Sequence, residues 1–328
     1  MKIIITGVTG LLGSYLARAF RDKGELFGLK RPTSDQRLLG ELADQITWYE
    51  GDINDLSLLE EAFRDKDLVI HAAGLVSFDE KDNEKLLMTN TQGTTNVVNA
   101  MLSSGGGHLV YISSVAALGR DHEHVRLNEN SKWSNSELNT PYAISKHLAE
   151  LEVWRGSQEG LNVMVFNPSV LLGKISDVRS SAGIYKYVLE GNKYYPKGSI
   201  NYVDIRDAVE IMSCLVKKGR WNERYIINKE CISYKLFFEK MAEVFGKKAP
   251  SKPLNGMMSS LAVGWVKLYN LFGSRPIALN RQMLQLAQLK ISYDNQKIQQ
   301  ILDHRFIPVT DTFRWAIAGS DEGYLWNP

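Results

Sequence analysis

Tyr142 and Lys146 stand four residues apart in the run Tyr142-Ala143-Ile144-Ser145-Lys146, and the pair Ser113-Ser114 precedes them. On a helix that spacing puts the phenol and the ammonium on one face, a turn apart. A carbonyl that accepts a hydride develops oxyanion charge and needs a proton donor. A free tyrosine, with a pKa near ~10, yields its proton reluctantly. A neighbouring ammonium favours the phenolate, and Ser114, at the end of an expected strand, can donate a hydrogen bond that orients the substrate oxygen. Tyr-x-x-x-Lys arises often by chance, so its weight depends on what accompanies it.

What accompanies it is a phosphate cradle. Thr6-Gly7-Val8-Thr9-Gly10-Leu11-Leu12-Gly13 sits where a strand turns into a helix. Gly7 permits the tight turn, Gly10 lets backbone approach a pyrophosphate, and Gly13 lets the helix pack close to the strand. The exposed N–H groups and the helix dipole then hold the phosphates. The second strand ends Leu29-Lys30-Arg31-Pro32-Thr33-Ser34, with no acid before Asp35. A carboxylate at that place accepts from a ribose 2′-hydroxyl, whereas a cation pairs with a 2′-phosphate. Arg31 can bind phosphate bidentately and Lys30 adds a point charge, so NADP(H) is expected over NAD(H), with NAD(H) left open. Asp52-Ile53 and Ala72-Ala73-Gly74, each after a later strand, complete the expected dinucleotide pocket. His71 reads as a buried, hydrogen-bonded histidine.

These residues need elements to hold them. Short apolar, β-branched runs alternate with longer amphipathic stretches, the pattern of βαβ units and a parallel sheet. Strands are expected at Lys2–Thr6, Leu26–Leu29, Thr47–Glu50, Leu68–His71, His108–Ser113 and Asn162–Asn167, and helices at Leu12–Lys23, Asp55–Phe63, Asn83–Ser103 and Pro141–Glu159. The fold class is therefore α/β, a Rossmann-type doubly wound parallel sheet with a smaller C-terminal substrate domain. Residues 1–170 form the dinucleotide-binding part, with 200–229 returning to it, and 171–199 and 230–328 form mainly the substrate part. Asp207 reads as the N-cap of a helix running to Lys218.

The 328 residues carry 39 basic and 37 acidic side chains, a formal net charge of +2, which gives no electrostatic reason for a nucleic-acid partner. Cys214 and Cys231 form no disulfide framework or zinc spacing, read as ordinary buried thiols, and suit a reducing, cytoplasmic setting. Glycines interrupt the apolar N-terminus too early for a signal peptide. The apolar stretch Met257–Phe272 carries Gly264 and Lys267 and falls short of the ~20 residues a membrane span needs, so no stable membrane insertion is expected. Asp121-His122-Glu123-His124 lacks a convincing third metal ligand, and no metal is expected.

In order and spacing these motifs, with Tyr111-Ile112-Ser113-Ser114, Asn167-Pro168-Ser169 and Ser292-Tyr293-Asp294-Asn295-Gln296-Lys297, resemble the extended short-chain dehydrogenase/reductases. Within them the chain is similar to the subgroup of dihydroflavonol reductases and 3β-hydroxysteroid dehydrogenases. The resemblance implies that Ser114, rather than Ser113, is the functional serine, judged by its distance to Gly119. It implies that Asn90 helps organise a proton-relay water, that Asn167, Pro168 and Ser169 pack near the nicotinamide carboxamide, and that Lys146 holds the nicotinamide ribose. The helices Asn83–Ser103 and Pro141–Glu159 match those that form a homodimer interface in many relatives.

Two departures bear on the reaction. The sugar dehydratases of the family place an Asp-Glu pair where Val115-Ala116 stands, and the sugar-nucleotide enzymes carry a diphosphate-clamping arginine at about Gly198, with Arg275 or Arg281 as substitutes. Val76 and Phe78, with Tyr185, Tyr187, Tyr194, Tyr195, Met257, Met258, Trp265 and Tyr269, suggest an apolar substrate wall. The expected function is NADPH-dependent reduction of an apolar aldehyde or ketone to an alcohol, with Tyr142 as proton donor. A nucleotide-sugar epimerase with tightly bound NAD and a non-catalytic dinucleotide-binding regulator are the alternatives.

Overall fold

The structure, a computed structural model, describes residues 1–122, 125–175, 182–254 and 281–318. Seven strands form one all-parallel sheet: β1 (Lys2–Thr6), β2 (Glu25–Lys30), β3 (Thr47–Glu50), β4 (Leu68–His71), β5 (His108–Ile112), β7 (Asn162–Pro168) and β11 (Glu223–Ile227). Their spatial order is β3-β2-β1-β4-β5-β7-β11, so the winding reverses between β1 and β4. A crevice opens at the carboxyl ends of strands at such a reversal, and a dinucleotide fits across it.

Strand β1 shows why both faces are covered. Ile3 and Ile5 are buried in one apolar layer with α1 (Leu11–Phe20) and α7 (Ile205–Lys218), while Ile4 is buried in the opposite layer with α2 (Leu56–Phe63), α4 (Gly93–Ser103) and α5 (Pro141–Gln158). Successive side chains leave a strand on opposite faces, so an unbroken Ile run suits a sheet buried on both sides.

A second, smaller sheet is interleaved in the chain with the last strands of the first. β8 (Val170–Leu172), β10 (Ser199–Asp204) and β12 (Glu230–Ser233) form a three-stranded sheet. Its core joins Tyr185 of α6 (Ala182–Leu189), Tyr202, Phe237 of α8 (Tyr234–Phe245) and Phe313 of the helix Val309–Ile317. Phe313 meets Tyr185 and Phe237 edge-to-face at 6.3 and 5.2 Å between ring centroids, the arrangement aromatic quadrupoles prefer. Two-residue strands complete the pairing: β6 (Arg126–Leu127) with β14 (Ser292–Tyr293), and β9 (Tyr194–Tyr195) with β13 (Lys252–Pro253).

Several expectations are corrected. Of the segment 200–229, β11 joins the large sheet, but β10 lies in the small one. The α7 cap is Asp204, which accepts from Arg206 N at 2.8 Å. Asp207 sits inside the first turn, buried, and binds His304 Nε2 and Ile307 N at 3.0 Å each, because the C-terminal segment folds back over α7. Cys214 is exposed and Cys231 only partly buried. The helix expected over Asn83–Ser103 is interrupted by a π-helical turn at Leu87–Gln92. Among the described residues no helix is long and apolar enough to cross a membrane; Met257–Phe272 lies outside them.

Candidate active site

The cradle follows β1. Gly7 takes φ +69°, and a Cβ on it would lie 2.5 Å from Ala73 N, so this turn requires both left-handed backbone and a bare Cα. One turn into α1, a Cβ on Gly13 would lie 2.1 Å from the Gly7 carbonyl oxygen. Gly10 is the α1 N-cap without a capping side chain, which leaves the N–H groups of the Leu11-Leu12-Gly13 turn at the positive end of the helix dipole for an anion. Thr9 lines the same turn. A pyrophosphate fits this cradle, which any larger residue at 7 or 13 would fill. Thr6, by contrast, is fully buried: its Oγ1 bonds His71 Nδ1 at 2.7 Å and accepts from Ala73 N at 3.3 Å. It joins β1 to the Ala72-Ala73-Gly74 turn.

After the end of β2, the first acid in the chain is engaged locally, since Asp35 accepts from Arg37 Nε and Nη2 at 2.8 and 2.6 Å. Arg31 lies in a turn closed by Ser34 and is exposed, while the Lys30 ammonium rests 5.1 Å from the Trp48 ring centroid. Asp52 accepts from Asn54 N and Nδ2 at 3.0 and 2.7 Å, and Ile53 is buried against α4.

Tyr142 enters on the first turn of α5, where the Thr140 hydroxyl accepts from Ala143 N at 3.0 Å and Pro141 occupies the first helical position. Phe78 faces it, the ring centroids 6.2 Å apart, and Val76 is exposed nearby in the chain. Burial pushes the Tyr142 phenol up, while a hydrogen bond from Ser114 and the charge of Arg120 pull it down. The phenol therefore holds its proton at neutral pH, as a donor must.

Lys146 departs from the sequence reading. Its ammonium is buried and donates to Ile112 O at 2.7 Å and Tyr111 Oη at 3.1 Å, rather than leaning on the Tyr142 phenol. Burial lowers it to about 8, against the raising charge of Glu150. A Cβ on Gly74 would lie 3.5 Å from Lys146 Nζ and 3.2 Å from Asn90 Oδ1, so the small-residue turn passes close to both groups.

The remaining predicted residues serve backbone geometry. Asn90, in the π-helical turn, accepts from Leu75 N at 2.7 Å and donates to Leu75 O and Ser145 Oγ, both at 2.9 Å. Its amide thus clamps the turn after β4 onto α5; π-bulges recur where a helix must re-aim a functional side chain. Asn167 is fully buried, donating to Ser114 O at 2.9 Å and Glu150 Oε1 at 2.5 Å. Its amide is directed toward α5 and the Ser114 strand end. Pro168 ends β7, and Ser169 N donates to Ile227 O at 3.0 Å. His71 is buried between Thr6 and Thr94, and desolvation lowers it to about 3, so it stays neutral.

Tyr185 is a core residue rather than pocket wall, its hydroxyl donating to Gly173 O at 3.0 Å. Met257, Met258, Trp265, Tyr269, Arg275 and the Glu123-His124 pair lie outside the described residues. His122 bonds Glu137 Oε1 at 2.9 Å. Sequence reasoning missed Arg120, Glu150 and Arg224, and named Tyr111 only within a motif, with no role of its own. Of the three, Glu150 left a signal, as the next residue in the four-residue spacing from Tyr142 through Lys146.

The chain belongs to the NAD dependent epimerase/dehydratase family, whose sequence profile matches residues 3–228. Within that family it is an NAD(P)-dependent enzyme of the extended short-chain dehydrogenase/reductase type. It is 26% identical over 324 residues to cinnamoyl-CoA reductase 1 of Petunia hybrida, covering 93% of this chain and 94% of that one. It is 27% identical over 253 residues to sterol demethylase protein B of Methylococcus capsulatus, covering 76% of each. The crystal structure of gox2253 superposes with a TM-score of 0.80 at 27% identity, covering 96% of both chains.

Proposed function

We propose that the protein reduces an apolar aldehyde or ketone to an alcohol with NADPH, and that Tyr142 supplies the proton. The observation that carries this reading is the placement of Tyr142, on the first turn of α5, and of Ser114, just after β5, at the same carboxyl edge of the sheet as the glycine cradle. When bound, the dinucleotide supplies the hydride. Tyr142 gives its proton to the carbonyl oxygen, Ser114 donates a hydrogen bond to that oxygen, and Lys146 holds the ribose hydroxyls. Thr9, Gly10, Leu11 and Leu12 hold the pyrophosphate, and Lys30 and Arg31 attract a 2′-phosphate.

The nucleotide-sugar alternative is disfavoured by sterics. At Gly198, the place of the clamping arginine, a Cβ would lie 2.3 Å from Leu289 O and 2.5 Å from Ala287 O, so no arginine fits without moving that backbone. Phe78 against Tyr142 favours an apolar group beside the reacting carbon. Leu87 and Met88, with Ile144 and Leu151 seven residues apart on α5, are exposed apolar side chains on the two helices expected to form a homodimer.

Tyr142→Phe tests the mechanism. It should bind NADPH within a factor of about two of the wild type in calorimetric titration while its oxidation of NADPH with aliphatic and aromatic aldehydes falls by about 10²–10⁴-fold. A variant that turns over normally overturns the proposal. Light scattering on the same preparation should give a dimer mass; a monomer mass removes the dimer.

A further inference from the structure

A line of buried polar side chains runs from the end of β1 through the end of β4 to α4 and α5, and the reaction above uses none of them. Thr6, His71, Thr94, Asn90 and Ser145 are almost fully buried, and each is hydrogen-bonded to another of them.

The protons along this line have a single arrangement. A threonine hydroxyl has one proton to give, and a backbone carbonyl has none. Thr94 Oγ1 lies 2.6 Å from the Asn90 carbonyl oxygen, so its proton is spent there. Toward His71 Nε2, 3.0 Å away, the same oxygen can then only accept, which puts the ring proton on Nε2. The ring is neutral, so Nδ1 is bare and accepts from the Thr6 hydroxyl at 2.7 Å. Thr6 Oγ1 in turn accepts from Ala73 N at 3.3 Å. Beyond Thr94 the direction is fixed again. The Asn90 amide must meet Leu75 N with its oxygen and Leu75 O with its nitrogen. That nitrogen also donates to Ser145 Oγ, whose own proton goes to the Tyr142 carbonyl at 2.9 Å.

The ends of the line are the two halves of the site. Ala73 is the residue whose backbone crowds Gly7 of the cradle, and Tyr142 lies on the first turn of α5, the turn that presents the phenol. A methyl in place of the Thr94 hydroxyl would leave the Nε2 proton buried without an acceptor.

We infer that His71, held as the Nε2–H tautomer, is a positioning residue of the active site: its ring joins the strand end behind the glycine cradle to the π-helical turn of Asn90, and so sets the cradle and the Tyr142 turn relative to each other. The inference rests on the proposed reading of those two as one site. Histidine suits the place because a neutral imidazole offers a donor and an acceptor that point apart on a rigid ring.

The test begins with the full-length protein without cofactor, labelled with ¹⁵N in the histidine rings, with His71→Gln identifying the His71 signals. Long-range ¹H–¹⁵N correlation at pH 7 should show one tautomer with its proton on Nε2. The Nδ1–H tautomer, or two averaged nitrogens, overturns the inference. NADPH and NADH are then titrated calorimetrically into the wild type, His71→Gln, Thr94→Val and the double variant below their unfolding midpoints, and the dinucleotide that the wild type binds more tightly is compared. Each single variant should bind it weaker by about threefold or more, the scale of one lost hydrogen bond. The double variant should be no weaker than the poorer single one, since both changes interrupt the same line. Affinity within threefold of the wild type, with stability alone reduced, overturns the inference in favour of a satisfied core histidine, and losses that multiply in the double variant overturn it too. If Thr94→Val does not fold, the tautomer and His71→Gln decide alone. Neither readout needs turnover, so an active Tyr142→Phe would defeat the catalytic proposal and leave both unchanged.

Discussion

The large parallel sheet and the small three-stranded sheet solve different problems with different residues. In the large sheet the buried polar groups gather at the carboxyl ends of adjacent strands, with Thr6, His71, Ser113 and Asn167 all within 4% exposure. Most are paired there, as buried polar groups must be. The small sheet gathers instead an apolar and aromatic core of Tyr185, Tyr202, Phe237 and Phe313, drawn from segments more than a hundred residues apart. The difference teaches that the reactive groups sit on the stiff, locally wound half, while the half assembled from distant segments is free to vary the wall that meets the substrate.

The sharpest way to break this division is to damage the small core. Phe313→Ala should lower unfolding stability by about 3–5 kcal/mol in denaturant titration, while NADPH affinity, measured below the unfolding midpoint, stays within a factor of about three. If affinity collapses in proportion to stability, the two halves are not separable. A smaller effect is expected at the lip of the large sheet. Arg31→Ala should weaken NADPH binding by roughly 1.5–3 kcal/mol, the scale of a hydrogen bond to a charged group, and leave NADH binding nearly untouched. Equal losses for both would show that Arg31 does not read the 2′-phosphate.

A third effect, comparable in size with that at Arg31, concerns the polar seam itself. His71 is neutral in the fold, lowered to about 3 from 6.5, so the unfolded chain binds a proton that the native one refuses. Stability attributable to this group falls by about 1.4 kcal/mol for each pH unit between 6.5 and 3 and is unaffected above 6.5. His71→Gln, unfolded by denaturant at pH 7.0 and 4.5, should lose less stability on acidification than the wild type. An identical loss would mean that the burial of His71 does not contribute to acid lability.

Much of the large sheet was legible in advance because its information is local. Strands β1, β3 and β4 begin and end where the apolar runs do, and the glycine spacing at 7, 10 and 13 reports contacts between residues only a few positions apart. Three of the failures involve distant partners. Asp207 resembles an N-cap until His304 and Ile307, about a hundred residues later, claim its carboxylate. Tyr185 resembles a pocket aromatic until Phe313 and Phe245 close over it. The ordered segment after Pro168 hides its pairing for the same reason: β10 takes β8 and β12 as neighbours, and no local periodicity records a partner.

By itself the sequence determined the α/β class, the order of the parallel strands' units, the cradle and the presence of a tyrosine, a lysine and a serine suited to proton transfer. Each of these rests on periodicity or short spacing, which the backbone reads directly. The tertiary structure alone decided where the Lys146 ammonium points, and why Asn90 and Asn167 must be amides. Those are consequences of desolvation and hydrogen-bond satisfaction, and both depend on which distant residues arrive at the same place.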